Sequence, residues 1–330
     1  MSEIRKDPLT GRGVIIAPER ARRPKQLGSA AGADLLQACP FCPGNEHLTP
    51  PESWADRPGE SQPDQPGWSV RIVPNKYPAV AEIDFEVHSR SRNRLPGAGV
   101  HEVIIESAPH VVNMAALDEH QLTRIFHAYR ERLRTWREDP RWQFRLIFKN
   151  QGEHAGATFE HAHAQLIALP LVPADVETEL DGARAYYRRS AKCYYCAQIE
   201  REVQTGARIV MGNDKFIAFC PQAPRFAFET WILPRIHADA FEASNDESVA
   251  ALAKISRRVI AALDHLQANP PFNFFIQSLS LNESDQAHYH WQLRLLPQIS
   301  RAAGFEWGSG MHINPVAPEL AAQMLRDAAI

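Results

Sequence analysis

Two histidines one residue apart, His161 and His163, interrupt the apolar run FEHAHAQLIALP, and His288 and His290 do the same in HYHWQLRLLP. Imidazole can ligate a metal, move a proton or, near neutral pH, attack an electrophile without a separate base. Four of the five cysteines form two C-x-x-C pairs, Cys39 with Cys42 and Cys193 with Cys196, each followed by a lone histidine, His110 or His237. Thiolates and imidazoles are the donors of tetrahedral zinc, four to a closed site. The spacing predicts one Cys2His2 set from Cys39, Cys42, His110 and one histidine of the first pair. A second set comes from Cys193, Cys196, His237 and either His288 or His290. Cys220, in FIAFCPQ, has no such company and reads as a small buried hydrophobe.

On a strand, residues i and i+2 share a face, so His161 and His163 point the same way. If one ligates a metal, the other is held rigidly beside it, as a nucleophile would be. Upstream lies KNQGEHAGAT, residues 149–158, with Lys149, Asn150, two glycines and Thr158. Glycine lets backbone N–H groups approach a phosphate and lysine supplies charge, so this loop is a candidate phosphate cradle. Gln165, on the face of His163, and Thr158 could each donate to a phosphate oxygen as charge develops there.

The elements that must carry these groups are written twice. C-x-x-C, an RIV strand, a lone histidine, H-x-H-x-Q and an apolar L-x-x-L-P occur in the same order in both halves, and His110 precedes His161 by the 51 residues that separate His237 from His288. HEVIIES, FRLIFKN and AQLIALP read as strands, while Leu122, Ile125, Phe126, Tyr129, Leu133 and Trp136 recur at helical spacing behind a cap at Asp118 and Gln121. Residues 246–266 have the same character. The pattern predicts an α+β fold of two pseudo-symmetric units, residues 1–175 and 176–330, each an antiparallel sheet with a helix packed on it. PADVETELDGARAYYRRSAK is expected to bridge them as a helix, and ESWADRPGESQPDQPGWS to be a surface loop.

Composition narrows the partners. A formal charge of −3 argues against a nucleic-acid surface, which needs excess base to neutralise phosphates. The longest apolar runs are far too short to cross a membrane, and the polar start MSEIRKDPLTGRG has no secretory apolar segment, so a cytoplasmic protein is expected.

With these residues assembled, the chain resembles the galactose-1-phosphate uridylyltransferase family of the histidine-triad superfamily over nearly its whole length. RKDPLTGRGVIIAPERARRP, CPFCPGNE, VPNKYPAV and HAHAQ carry the likeness. The resemblance implies two histidine-triad-like halves, commonly dimerised, and a ping-pong nucleotidyl transfer from a nucleotide sugar to a hexose 1-phosphate. His163 would attack the α-phosphorus of UDP-glucose and hold UMP covalently; galactose 1-phosphate would then take it up. Carried over by position, Cys39, Cys42, His110 and His161 would bind zinc, Thr158 and Gln165 would hold phosphate oxygens, Arg20 and Arg23 would contact phosphate, and Asn75 and Asn150 would lie near nucleotide or sugar phosphate, with Gly156 and Ala157 in the substrate loop. A second zinc, or iron, is expected in the second half. The family's usual H-P-H-G-Q and aromatic are replaced by Ala162, Ala164 and Leu166. The second C-x-x-C and the tail GFEWGSGMHINPVAPE look more like the branch that includes ADP-glucose phosphorylase, so an adenylyl-transferring phosphorylase is the alternative. A zinc-stabilised nucleotide-binding module and a nucleotide hydrolase are more distant ones. Thr158 has no counterpart in the second half, so His290 is expected to be structural or metal-binding.

Overall fold

Period-two apolar patterning yields strands whose two faces serve different purposes, and a computed structural model of the chain, describing residues 3–6, 13–16, 39–83, 94–278, 287–299 and 302–329, shows how they assemble. The strands are β1 (Glu3–Lys6), β2 (Gly13–Ile16), β3 (Trp54–Asp56), β4 (Val70–Pro74), β5 (Arg94–Pro96), β6 (Val100–Ile105), β7 (Phe144–Gln151), β8 (His163–Leu169), β9 (Ile209–Gly212), β10 (Phe216–Phe219), β11 (Thr230–Pro234), β12 (Phe272–Gln277) and β13 (Gln292–Pro297). β2, β1 and β5 make a small sheet; the other ten form one sheet in the order β3-β4-β6-β8-β7-β12-β13-β11-β10-β9.

That order is a five-stranded arrangement followed by its own reverse. β8 and β13, the strands entered by the two H-x-H segments, hold equivalent places. The two pseudo-symmetric halves are therefore present, but they share one continuous antiparallel sheet instead of having one each. β7 pairs with β12, with Phe148 opposite Phe275 at the centre. Apart, each of these strands would be an edge with unpaired N–H and C=O groups; joining them removes both edges.

The helices are α1 (Glu119–Arg137), α2 (Ala174–Ser190), α3 (Tyr194–Thr205), α4 (Asp246–Leu266), α5 (Gly304–Ser309) and α6 (Pro318–Ala328). Asp118 caps α1 by accepting from the Gln121 N–H at 2.7 Å, and Asn245 caps α4 from the Ser248 N–H at 2.9 Å. α1 and α4 pack against each other, and their apolar sides share one core with Ala164, Leu166 and Ala168 of β8 and Leu293 and Leu295 of β13. Strand alternation then turns His163 and Gln165, and in the second half Gln292 and Arg294, to the opposite face.

The expected bridge is α2. A helix not foreseen, α3, follows it: Cys193 is its N-cap residue and Cys196 lies in its first turn. The Pro- and Gly-rich segment after Pro51 is irregular except for β3. Among the described residues no helix is long and apolar enough to cross a membrane.

Candidate active cleft and metal centres

Cys39 and Cys42 sit in a tight turn in which the Cys42 N–H donates to the Cys39 carbonyl at 3.3 Å. The turn is packed against Val73, Val103 and Ile105, on the sheet face that carries His163. Cys39, Cys42, His110 and His161 come together, all four ligand atoms within 4.8 Å of one another. Both thiols lie 3.6 Å from His161 Nδ1, and Cys42 Sγ is 3.3 Å from His110 Nδ1. Tetrahedral zinc with ordinary bond lengths separates sulfur from nitrogen by about 3.5 Å, so the donor set fits that ion. The orienting contact is also present. His161 Nε2–H donates to the Ser107 carbonyl at 2.8 Å, which leaves the Nδ1 lone pair facing the thiols. Burial pushes the Cys39 thiol up and the Cys42 thiol to about 12, the charge of Cys39 adding to the latter. Two thiolates here require a cation. Burial also lowers His161 to about 4, opposed by the Ser107 bond and reinforced by His110 and Lys149.

The second cluster is Cys193, Cys196, His237 and His290. Cys196 Sγ lies 3.4 Å from His237 Nδ1 and 3.6 Å from His290 Nδ1. Of the two open candidates, His290 joins the thiols; His288 does not, and instead offers its backbone carbonyl to Cys193 Sγ at 3.7 Å. The 51-residue spacing pairs His161 with His288, but the strands disagree. Gln165 stands between Val103 and Phe148, and Arg294 between Trp231 and Phe275. Thus Arg294 matches Gln165, Gln292 matches His163, and His290 matches His161. The second H-x-H is displaced by two residues, and a glutamine stands where the first half has its second histidine.

His163 is 4% exposed and borders two clefts. One is apolar, walled by Phe41, Val73, Val103 and Phe159 with Asn75 and Gln165 at its polar end. The other is polar, lined by Asn150, Gln151, Gly152 and Glu153. His163 Nδ1–H donates to the His161 carbonyl at 2.8 Å, so in the neutral ring Nε2 carries the lone pair. One peptide unit thus couples the metal ligand to the candidate nucleophile.

Gln165 is oriented by a residue the sequence reading passed over. His101 Nδ1 accepts from the Ala79 N–H at 2.9 Å, which makes its Nε2 the protonated nitrogen, 2.8 Å from Gln165 Oε1. With its oxygen so engaged, Gln165 presents its NH2 to the cleft. Asn75 Nδ2 lies 3.2 Å from the same His101 nitrogen. The signal was available in HEVIIES, where His101, Val103 and Ile105 alternate onto one face.

The glycine loop is only partly as expected. Gly152 and Gly156 have φ of 81° and 85°, which side chains disfavour, and the Ala157 N–H closes the loop onto the Gly152 carbonyl at 3.1 Å. Thr158 ends the loop beside Phe159 of the cleft wall. Asn150 accepts from Asn273 Nδ2 at 2.8 Å, and the same Asn273 amide holds the Ala155 carbonyl, so the second half braces this loop. Lys149 borders the polar cleft, but its charge is already engaged. It belongs to β7, is 1% exposed, and its ammonium binds Glu106 at 2.5 Å and the His163 carbonyl at 3.1 Å. Tyr129 of α1 donates to the same Glu106. Arg20 and Arg23 lie outside the described residues.

A histidine on a strand that begins at a cluster able to hold a metal, its tautomer fixed and an amide donor beside it, is the site of a nucleotide-handling enzyme. The chain belongs to the galactose-1-phosphate uridylyltransferase family: residues 1–173 match the model of the galactose-1-phosphate uridyl transferase N-terminal domain. It is 32% identical to ADP-glucose phosphorylase of Arabidopsis thaliana over 339 residues, covering 99% of this chain and 93% of that one. It is 27% identical to galactose-1-phosphate uridylyltransferase of Thermotoga maritima, covering 99% and 98%. Among solved structures it resembles an Arabidopsis ADP-glucose phosphorylase with bound ADP-glucose at a TM-score of 0.78 and 33% identity, covering 99% of each chain.

Proposed function

We propose that this protein is a nucleotidyltransferase working by double displacement through a covalent nucleotidyl-histidine on His163, with UDP-glucose as donor and galactose 1-phosphate as acceptor. The observation that carries this reading is the Nδ1–H bond from His163 to the His161 carbonyl. It sets Nε2 as the attacking nitrogen and stabilises the charge the ring acquires. In the first step Nε2 bonds to the α-phosphorus while the bond to the leaving hexose 1-phosphate oxygen breaks, its electrons departing on that oxygen. In the second, an oxygen of the acceptor phosphate attacks phosphorus and Nε2 leaves. The acceptor is already an oxyanion, so no base is needed. Gln165, oriented by His101, donates to a non-bridging phosphate oxygen, and Thr158 and the Gly156–Ala157 backbone serve the same phosphate. The apolar cleft suits the base, with Asn75 at its rim, and Asn150 suits the sugar phosphate.

We assign zinc to Cys39, Cys42, His110 and His161, where it would anchor the start of β8. A second zinc is assigned to Cys193, Cys196, His237 and His290. We divide the halves between residues 175 and 176, in the first turn of α2. A homodimer is proposed from the exposed apolar side chains of residues 304–313, among them Trp307 at 80% and Met311 at 66% exposure.

One observation favours a second reading: the identity to the Arabidopsis ADP-glucose phosphorylase exceeds that to the Thermotoga uridylyltransferase. That reading keeps the same histidine and exchanges uridylyl for adenylyl and the hexose phosphate acceptor for inorganic phosphate. The test is a donor panel. UDP-glucose and ADP-glucose labelled at the α-phosphate are each incubated with the protein, which is then denatured and counted. Label from UDP-glucose, discharged by galactose 1-phosphate, supports the first reading; label only from ADP-glucose, discharged by phosphate, replaces it with the second. No protein-bound label from either sinks the covalent mechanism.

A further inference from the structure

The second half of the sheet repeats the geometry of the cleft with different side chains. Arg294 occupies the place of Gln165, and Gln292 that of His163. Tyr195 of the second C-x-x-C stands as Phe41 does in the first. Arg294 is 7% exposed and its guanidinium lies 4.2 Å from the Trp231 ring centroid. A buried guanidinium needs an anion. The chain supplies one from the helix that links the halves. Arg294 Nη2, Tyr195 Oη and, at 3.2 Å, Gln292 Nε2 all donate to one oxygen, Oε1 of Glu179 in α2.

Two features show that a carboxylate uses this donor array incompletely. Arg294 Nε is buried with no hydrogen-bond partner, although a guanidinium fork normally offers Nε and Nη2 together to an anion with several oxygens. Three donors also crowd a single carboxylate oxygen. A tetrahedral oxyanion presents more oxygens and would take the fork in full. The place is not sealed: Glu179 is 28% exposed, and the cleft beside it, bordered by Tyr186, Arg189 and Tyr194, opens to solvent.

We propose that the second half holds a latent site for a phosphate-type oxyanion, in which Glu179 is the resident anion. Duplication left a phosphate position in each half; in this one the nucleophile's place is held by Gln292 and the phosphate's place by a carboxylate of the same chain. One consequence is that α2 is latched to the second half by its own charge. Another is that withdrawing this carboxylate should create an anion site without touching His163. The inference goes beyond the transfer reaction but takes the phosphate position from that reading; phosphate uptake at Arg294 can fail while covalent labelling of His163 succeeds, so the two are tested separately.

The test uses the full-length, metal-replete protein and inorganic phosphate as probe. Calorimetric titration of the wild type, Glu179→Ala and Glu179→Ala/Arg294→Gln proteins counts bound phosphate. Any phosphate taken up near His163 is common to all three and cancels. The expected result is one additional equivalent per chain for Glu179→Ala, and none for the double variant. Equal uptake by Glu179→Ala and the wild type overturns the proposal, as does extra uptake that survives loss of Arg294. If the alanine protein does not accumulate, Glu179→Gln carries the same test. Its melting temperature should rise with phosphate more steeply than that of the wild type, and an identical dependence overturns the proposal.

Discussion

His101 and Gln165 form a hydrogen-bonded pair, with the Asn75 amide packed beside the same ring nitrogen, so that the ring limits the freedom of the glutamine. Removing the amide and removing the residue that aims it should therefore have different signatures. Gln165→Ala deletes a donor to the transferred phosphate and is expected to lower kcat by about 10²- to 10³-fold, the loss measured when one oxyanion donor is removed. His101→Leu leaves the donor but lets it rotate. Single-turnover kinetics should show about a ten-fold slower nucleotidylation, with donor KM little changed, because the amide's contact strengthens only in the transition state. A rise in KM with unchanged kcat would instead mean that His101 merely shapes the ground-state cleft. At the metal ligand the sign of a pH effect follows from burial. His161 titrates near 4 in the metal-free fold against an ordinary 6.5, so its neutral form is the folded form. Stability from this group is fully present above about 6.5 and is lost as pH falls toward 4, by up to about 3 kcal/mol. Denaturant melts of metal-stripped protein at intervals across that range should show the decline; a flat profile would mean that the apo protein does not keep His161 buried.

At the scale of elements, β8 is held from beneath by β7, β6 and α1 acting through one buried cluster. Lys149 of β7 is neutralised by Glu106, just past the end of β6, and Glu106 also receives Tyr129 of α1. The lysine's second contact is the His163 carbonyl, so the cluster bears directly on the strand that presents the nucleophile. Glu106→Gln would leave a buried ammonium without its counter-charge and is expected to cost about 3–5 kcal/mol in chemical denaturation. Lys149→Met in the same protein should recover much of that, because no charge then remains to be solvated. If the double variant is no more stable than the single one, the pair matters for packing and not for charge. This cluster was not legible in the sequence. A lysine heading a glycine loop reads as a phosphate ligand, and only the pairing of strands distant in sequence shows that its charge is already spent. The helices were legible, because Asp118 with Gln121 and the apolar spacing from Leu122 to Trp136 are local signals. His290 marks the boundary between the two cases. Sequence distance aligned the H-x-H pairs one way, whereas cross-strand partners, which decide where a side chain points, aligned them two residues apart.

For the molecule as a whole, duplication with unequal retention explains why two Cys2His2 clusters able to hold a metal accompany a single candidate nucleophile. Both halves kept a C-x-x-C, a lone histidine and a metal-directed histidine, since each half must pin the start of its inner strand. Only the first kept a histidine at the next position on that face. The halves also depend on each other, because β7 and β12 are joined and Asn273 of the second half braces the loop beside His163. The two clusters should therefore fail differently. Cys42→Ser removes a donor from the cluster that holds His161, whose carbonyl anchors the nucleophile; it is expected to lower metal content by one equivalent per chain and to abolish covalent labelling even in the fraction that remains folded. Cys196→Ser should lose the other equivalent and lower the melting temperature, while the folded fraction keeps most of its labelling. Metal analysis, thermal melts and labelling per folded molecule on the same preparations separate the outcomes. Equal loss of labelling from both variants would mean that the second cluster acts on the cleft through the shared sheet, and that the division into a chemical half and a scaffold half is wrong.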